Sequence, residues 1–445
     1  MEFFIFLFDY LQNDIPTFAF LAVCMGVIYY FLFRKQVYSL FDPLLIQLFS
    51  NVISASTVIF CFLKGIVEYK FLVSFILTEL ALFAGFFVFK PISAQFPTIP
   101  PQPLRISLKI TSAILFRVAA FLFIVFQLYS YKQIGIPLFS DKSRLTLYEG
   151  TGYIFYIIGT AQFITIYLLI DKLFRKDFFV NQLGNLFFNV TVLLFTVLTF
   201  ILSGSKSNLL SLIVAIFAYV LYSPNLGISS DLFEKVRSKL KLLFIASVFF
   251  SIMIISITAG TNLGNSILML LYRIVGYGDI YVMAYHDTVL QQIDPAGSFN
   301  YLFGGNLFSF LNHFLFLDIY RPKVLGFQIT EIIYGDDLGT GPNARHNIFG
   351  YIFYGWAGAI LFSFILGLLL GFFRNKLYSK LPKNIFGSLI YAILFIQATA
   401  LPSDAPFVFN ELFYTLLMFA ILFTISYLLA KMFLISPAKS GKDGF

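Results

Sequence analysis

Long apolar runs, each close to 20 residues and separated by short polar segments, recur along the chain from residue 15 to residue 430. The hydrocarbon core of a bilayer is about 30 Å thick and a helix rises about 1.5 Å per residue, so about 20 apolar residues cross it. Backbone in lipid must satisfy its own hydrogen bonds, which such a run achieves as a helix. The composition agrees, since 59% of the residues are hydrophobic and only 12% are charged. The sequence therefore predicts an all-α, polytopic integral membrane protein.

The length of the apolar runs predicts about eleven transmembrane helices. They lie near residues 15–33, 41–63, 71–89, 108–129, 151–171, 184–202, 207–223, 240–259, 347–373, 384–401 and 408–430. No internal repeat is evident, so a single transmembrane domain over residues 1–445 is the simplest organisation.

The positions of lysine and arginine predict the orientation of these helices. With the N-terminus outside, most of the 30 basic residues fall in inner segments, as Arg34, Lys172 and Arg374 do. The net charge of +8 then follows from topology and from contact with anionic lipid headgroups, and it implies no nucleic-acid partner.

One outer loop region is much longer than the others and covers residues 260–346. A loop of this length is usually functional. Its first part, NLGNSILMLLYRIVGYGDIYVMAYH, is apolar but is interrupted by Gly276 and Gly278. We expect helices that lie at the outer surface or dip into the outer leaflet there. A full span would instead move the rest of the loop and His346 to the inner side.

Two ionisable residues are predicted inside spans, where each costs at least about 2.5 kcal/mol. Glu79 lies near the middle of the third span and Arg117 near the middle of the fourth. Antiparallel neighbours bring their midpoints to the same depth, so we expect the two to pair. The pair would either lock two helices together or leave Arg117 to hold an anionic substrate.

Further cations stand at the predicted outer ends of apolar runs. Lys206 lies in the turn SGSKSN, Arg273 interrupts the run before Gly276, and Arg345 precedes His346. Each could extend towards lipid headgroups or bind a ligand. Gathered together, and joined by Arg144 from a second outer loop, they would suit a phosphate or diphosphate.

His346 is the candidate catalytic base in this set. A histidine with a pKa near 6.5 can take the proton from an attacking hydroxyl, and Asn347 would cap the helix that positions it. The three histidines lack the spacing and supporting carboxylates of a metal site. No metal and no other cofactor are therefore predicted.

Three short segments resemble the O-antigen or oligosaccharide repeat-unit polymerases, which are related in fold to the O-antigen ligases. The first is RHNIFGYIFYGWAG, with His346-Asn347 followed by Gly355 and Gly358. The second is SGSKSN, where Lys206 departs from the arginine more common in that family. The third is GIPLFSDKSRL, which ends near Arg144.

The resemblance implies a bacterial inner-membrane glycosyltransferase whose active site faces the periplasm. Its donor and acceptor would be glycans linked to undecaprenyl diphosphate, used for O-antigen, capsule or exopolysaccharide, and its partners would include a chain-length regulator and a flippase. The transfer would be inverting and metal-independent. His346 would act on the acceptor hydroxyl, and Arg273, Lys206 and Arg345 would hold the diphosphate.

Two alternatives remain open from the sequence. An O-antigen ligase uses the same donor but attaches the glycan to a lipid A core. A transporter of the lipid-linked oligosaccharide would need charges along a path through both leaflets, whereas most candidate charges here lie at the outer surface.

Overall fold

The computed structural model describes residues 14–92, 106–140, 152–175, 183–205, 208–228, 232–260, 262–294, 296–335 and 341–435. Within these ranges the chain forms helices and connecting segments, and no strand occurs. The prediction of an all-α, polytopic membrane protein is confirmed by this architecture.

The described α-helices are numbered here in chain order. They are α1 (Ile15–Phe33), α2 (Pro43–Leu63), α3 (Tyr69–Phe87), α4 (Ile106–Ile134), α5 (Gly152–Phe174), α6 (Leu183–Leu202), α7 (Asn208–Tyr222), α8 (Leu232–Ala259), α9 (Leu263–Val275), α10 (Asp279–Ala284), α11 (Asp287–Leu290), α12 (Ser298–Phe303), α13 (Ser309–Leu315), α14 (Leu325–Tyr334), α15 (His346–Gly371), α16 (Ile385–Ala398) and α17 (Ala405–Ile435).

Ten helical segments in the described part of the chain are long and apolar enough to cross a membrane. Most coincide with predicted spans. Two predicted spans are shorter apolar helices, over Leu210–Leu226 and Ile385–Ala398, and the segment Leu263–Ala284 is added to the long ones. The predicted number of spans therefore agrees closely with the structure, and the added segment is the first part of the long outer loop region.

Helix α15 reverses direction at Gly355. This glycine has φ 64° and ψ −169°, a backbone conformation that is essentially restricted to glycine. His346 Nδ1 lies 2.9 Å from Ser363 Oγ, although 17 residues separate them and a continuous helix would place them about 25 Å apart. The predicted single span over 347–373 is therefore wrong, because residues 346–354 form a short arm that folds back on a long arm, 356–371.

This hairpin places Arg345 and His346 inside the protein rather than at the edge of a span. Nine helical residues of the short arm correspond to about 13 Å of axial rise, so the arm begins well below the Gly355 tip. The relative exposure is 2% for Arg345 and 0% for His346. The prediction that these two residues stand at the surface, where the apolar run begins, is corrected by the reversal.

Helix α3 packs along the long arm of the hairpin. A Cβ atom on Gly367 would lie 2.0 Å from the carbonyl oxygen of Leu82, and one on Gly85 would lie 2.2 Å from that of Phe364. The two backbones are therefore in direct contact, as small residues allow in membrane helix pairs. This contact brings the middle of α3, where Glu79 lies, next to the start of the short arm.

The first part of the long outer loop region is interrupted at Gly276–Gly278, where the sequence predicts. Helix α9 ends at Val275, a short 3-10 turn covers Gly276–Gly278, and α10 follows. All six residues of α10 are buried, and this helix contacts α2, α14 and α15. The second half of the segment therefore enters the protein interior beside the hairpin instead of lying on its surface.

Arg374, assigned from the sequence to the basic inner segment, is instead fully buried. Its guanidinium donates to the Asp42 carboxylate and, at 3.0 Å, to the carbonyl of Gln36. It also lies between the rings of Tyr38 and Phe395. This ion pair fixes the α1–α2 connection against the end of the hairpin, so Arg374 is structural rather than a contact for lipid headgroups.

Candidate active site

A buried polar network joins α3 to the start of the short arm, and we call it the central network. His346 Nε2 lies 3.2 Å from Glu79 Oε1, and Asn347 Nδ2 donates to the same oxygen at 3.3 Å. Tyr29 on α1 donates its hydroxyl to Glu79 Oε2 at 3.1 Å. Together with the His346–Ser363 contact, these bonds occupy both ring nitrogens of His346 and both oxygens of Glu79.

The predicted pair between Glu79 and Arg117 does not form. Arg117 is exposed on α4 and donates to Asn185 Oδ1 at 3.1 Å. The reason is packing, because α4 lies against α5 and α17 while α3 lies against the hairpin. Glu79 and Arg117 were predicted to lie at the same depth, but α3 and α4 do not pack against each other at these residues. Arg117 therefore lies apart from the central network.

Asn347 is not the cap of the helix. The cap position belongs to Arg345, and the Asn347 side chain is part of the central network. Its Oδ1 accepts from Tyr281 at 2.7 Å, and its Nδ2 donates to Thr78 at 2.9 Å. Asn347 thereby ties the short arm to α3 and α10 at once, with a relative exposure of 0%.

Arg345 is held by the polar face of α2. Its Nη1 donates to Ser50 Oγ at 2.8 Å, and its Nη2 donates to Asn51 Oδ1. Both partners are neutral, and Nε is buried without a hydrogen-bond partner within the described residues. The guanidinium therefore keeps both a positive charge and a free donor inside the protein, where unused donors are costly.

A small cavity of about 50 Å³ lies beside Arg345, and we call it the arginine cavity. It is lined by Arg345 and by Gly276, Tyr277, Ile280, Pro342, Asn343 and Ser403. Ser403 donates to Gln47 Oε1 at 2.9 Å, and Gln47 donates to Asn51 at 2.8 Å. A chain of hydrogen bonds thus connects the loop before α17 to the carboxamide that holds Arg345.

Arg273 is exposed in the last turn of α9. It precedes Gly276 and Tyr277 by three and four residues, and both of these line the arginine cavity. Residues at these spacings share one side of a helix. Arg273 therefore lies about one helical turn before residues of the arginine cavity, and it is not among the residues that line it.

Lys206 and Arg144 lie outside the described residues. The segments around them nevertheless meet, because Gly204, in SGSKSN, lies against Leu138, in GIPLFS. A short 3-10 turn, Pro137–Phe139, carries Leu138 to this contact. Two of the three segments that carry the sequence resemblance are thus neighbours in the fold.

A larger cavity of about 390 Å³, which we call the large cavity, is lined in part by Ala344 and Asp404, the chain neighbours of Arg345 and Ser403. Its polar lining comprises Asn300, Tyr301, Arg321, Asp404 and Asn410. Sequence reasoning missed all five. Arg321 stands in LDIYRPK and Asp404 in ALPSDAP, and neither segment differs from an ordinary polar loop.

The polar face of α2 was also missed, although the sequence carried a signal for it. Gln47, Ser50, Asn51, Ser54 and Thr57 recur at intervals of three and four residues within a predicted span, which places them on one helix face. All five are buried. A stripe of this kind facing the interior indicates a polar partner, which here is Arg345.

Comparison with known proteins gives one match. A family model described as "Putative O-antigen polymerase" matches residues 20–401. No curated protein and no solved structure matches the chain significantly. The matched range includes the central network, Arg345 and both predicted outer loops. With a match over most of its length, the chain belongs to the O-antigen polymerase family.

Proposed function

We propose that the protein extends O-antigen chains by inverting, metal-independent glycosyl transfer between glycans linked to undecaprenyl diphosphate. The reaction would take place at the periplasmic face of the bacterial inner membrane. The family supports polymerisation of O-antigen repeat units in general. The choice of a diphosphate donor rests on Arg345, a buried guanidinium with neutral partners and a free Nε beside a cavity.

Arginine is suited to this task because its planar fork matches the oxygens of phosphate and stays charged at any physiological pH. As the bond from the anomeric carbon to the diphosphate breaks, negative charge builds on the leaving oxygen. A preorganised cation in a water-poor site lowers the energy of that state more than it lowers the energy of the bound donor. Arg345 supplies this cation, and Arg273 and Lys206 are proposed to hold the remaining diphosphate oxygens.

In this proposal His346 positions other residues and is not the catalytic base. It has no exposed surface and both ring nitrogens are occupied, so it acts on the acceptor only through the groups around it. Glu79, His346 and Asn347 hold the first turn of the short arm, and that turn carries Arg345. We propose that His346 positions Arg345, with Asn347 and Glu79 as its supports, and that Arg117 stands outside the site.

Replacement of Arg345 by glutamine tests the proposal. In cells whose own copy of the gene is deleted, Arg345→Gln should leave lipid-linked single repeat units and lower the rate of chain extension on the order of 100-fold, as the loss of one preorganised donor does. The readout is the ladder of glycan lengths on a gel at equal protein level. Purified protein should also lose the thermal stabilisation that added undecaprenyl diphosphate gives to the wild type.

Lys323→Gln is the matched control, since Lys323 is a cation of the same loop region that pairs with Glu331 and does not itself line either cavity. Its ladder should be normal. An unchanged ladder in Arg345→Gln would overturn the diphosphate assignment. Full-length polymer that forms but is not joined to a lipid A core in the deletion strain would instead identify a ligase.

A further inference from the structure

The proposed transfer needs a base that contacts the acceptor hydroxyl, and the geometry of His346 does not provide one. A general base must come within hydrogen-bond distance of the proton that it removes. His346 borders neither the arginine cavity nor the large cavity. The base is therefore sought among groups that line a cavity next to Arg345.

The large cavity is adjacent to the arginine cavity along two segments of the chain. Ala344 lines the large cavity, and Arg345, the next residue, lines the arginine cavity. In the same way Asp404 lines the large cavity and Ser403 lines the arginine cavity. The His346 backbone N–H donates to the carbonyl of Pro402 at 3.1 Å, which holds the two segments together. The two cavities are thus lined by consecutive residues in both segments.

The lining of the large cavity has the chemistry that recognises a sugar. Asn300, Arg321, Asp404 and Asn410 offer amide, guanidinium and carboxylate groups for hydroxyls, and Tyr301 and Phe407 contribute rings. Ligand sites commonly measure about 300–1,000 Å³ and combine apolar walls with a few polar groups. At about 390 Å³ this cavity is large enough for a small saccharide.

Within this lining, Asp404 is the carboxylate. Its Oδ1 accepts from the backbone N–H of Phe407 at 3.0 Å, which caps α17, and within the described residues Oδ2 makes no hydrogen bond. The side chain is only partly buried, so it is accessible from the cavity. We infer that Asp404 is the base that accepts the proton of the acceptor hydroxyl and that the large cavity holds the acceptor sugar, an inference that rests on the proposed glycosyl transfer.

The step balances with these groups. The acceptor oxygen forms a bond to the anomeric carbon of the donor while the bond from that carbon to the diphosphate oxygen breaks. The electron pair leaves with undecaprenyl diphosphate, whose charge Arg345 neutralises, and the hydroxyl proton moves to Asp404. Asp404 then releases the proton to water.

The pKa of Asp404 fits this role. Burial raises it from its ordinary value of 3.8 to about 6, and a base is most effective when its pKa lies near the working pH. Burial raises the pKa of Tyr301, which also lines the cavity, to about 12, so its hydroxyl keeps its proton near pH 6. Because only the carboxylate accepts a proton, the rate of chain extension should fall as the pH is lowered through about 6.

Asp404→Asn separates catalysis from structure, because asparagine caps a helix as well as aspartate does but cannot take the proton. We expect chain extension in membranes to fall by about 100-fold or more, as for the loss of a general base, and the residual rate to lose the decline near pH 6. The thermal stability of the purified protein and its stabilisation by undecaprenyl diphosphate should both remain those of the wild type. Asp318→Asn, an exposed aspartate of the same loop region, is the control and should behave as wild type.

A normal ladder in Asp404→Asn would overturn the assignment of the base. If Arg345→Gln loses the ladder at the same time, the proposed function stands and only this inference fails. If neither variant loses it, the proposed function fails as well. Loss of activity in Asp404→Asn together with loss of undecaprenyl diphosphate binding would make Asp404 a part of the donor site and would also overturn the inference.

Discussion

The central network shows how a buried carboxylate is stabilised in a membrane protein. Glu79 has a relative exposure of 4% and accepts from Tyr29, Asn347 and His346. Buried charges persist only when they are paired and hydrogen-bonded. The same bonds fix the first turn of the short arm, so the network stabilises the fold and holds Arg345 in place through a single set of contacts.

Removal of His346 should therefore affect both stability and activity. His346→Ala leaves Glu79 without one of its partners, and loss of a hydrogen bond to a buried charged group costs about 1.5–3 kcal/mol. We expect a lower melting temperature in detergent and loss of chain extension, measured by thermal unfolding and by the glycan ladder. Glu79→Gln should act in the same direction, because a carboxamide cannot accept at both positions. A fully active His346→Ala protein with normal stability would exclude a positioning role.

Sequence reasoning identified most of these residues but not their arrangement. Glu79, Arg345 and His346 stand out because ionisable groups are expensive in apolar runs. Their partners did not follow, since the His346–Glu79 contact joins residues 267 positions apart and depends on which helices pack together. Arg321 and Asp404 carried no signal, because a polar residue in a loop is ordinary until the fold brings it to a cavity.

At the scale of the element, the reversal at Gly355 decides the architecture of the site. The sequence GYIFYGWAGAILFSF is apolar throughout and looks like one continuous span. Gly355 has open space where a Cβ would be, so it is required for its dihedral angles and not for close packing. Gly367 and Gly371, in contrast, do face the α3 backbone at close range.

Gly355→Ala should therefore be destabilising although it creates no clash. An alanine in this region of dihedral space costs about 1–3 kcal/mol, and it favours a helix that continues straight. We expect a lower melting temperature and weaker chain extension. Gly26→Ala on α1 is the control, since its Cβ also meets open space but its backbone is helical, and alanine is the better helix former. Equal stability of the two variants would contradict the strained reversal.

At the scale of the whole molecule, ten of the eleven predicted spans coincide with one helix each, and the span over 347–373 coincides with the α15 hairpin. Apolar length and short polar connections determine where a chain can cross a bilayer. The orientation rests on the distribution of lysine and arginine. The structure adds that the Gly355 tip and Lys380 lie at opposite ends of the long arm and its extension to Ser379.

Cysteine labelling tests this orientation. In a background with Cys24 and Cys61 replaced by alanine, Asp318→Cys should react with a membrane-impermeant maleimide in intact cells. Lys380→Cys should react only after the inner membrane is permeabilised. Both positions are exposed, so access to the reagent and not burial decides the result. The reverse pattern would place the proposed site on the cytoplasmic side.

The hairpin also has a consequence for biosynthesis. The short arm is about 13 Å long, which is too short to span the bilayer by itself. Arg345 would also be unstable in lipid until Ser50 and Asn51 can accept its hydrogen bonds. The first three helices must therefore be inserted, and α9 and α10 must be packed against α2. Only then can the segment 341–354 insert between these helices. Assembly of the site would then be the last step of maturation, and a nascent chain interrupted before the long arm would be inserted in the membrane yet have no centre at which to react.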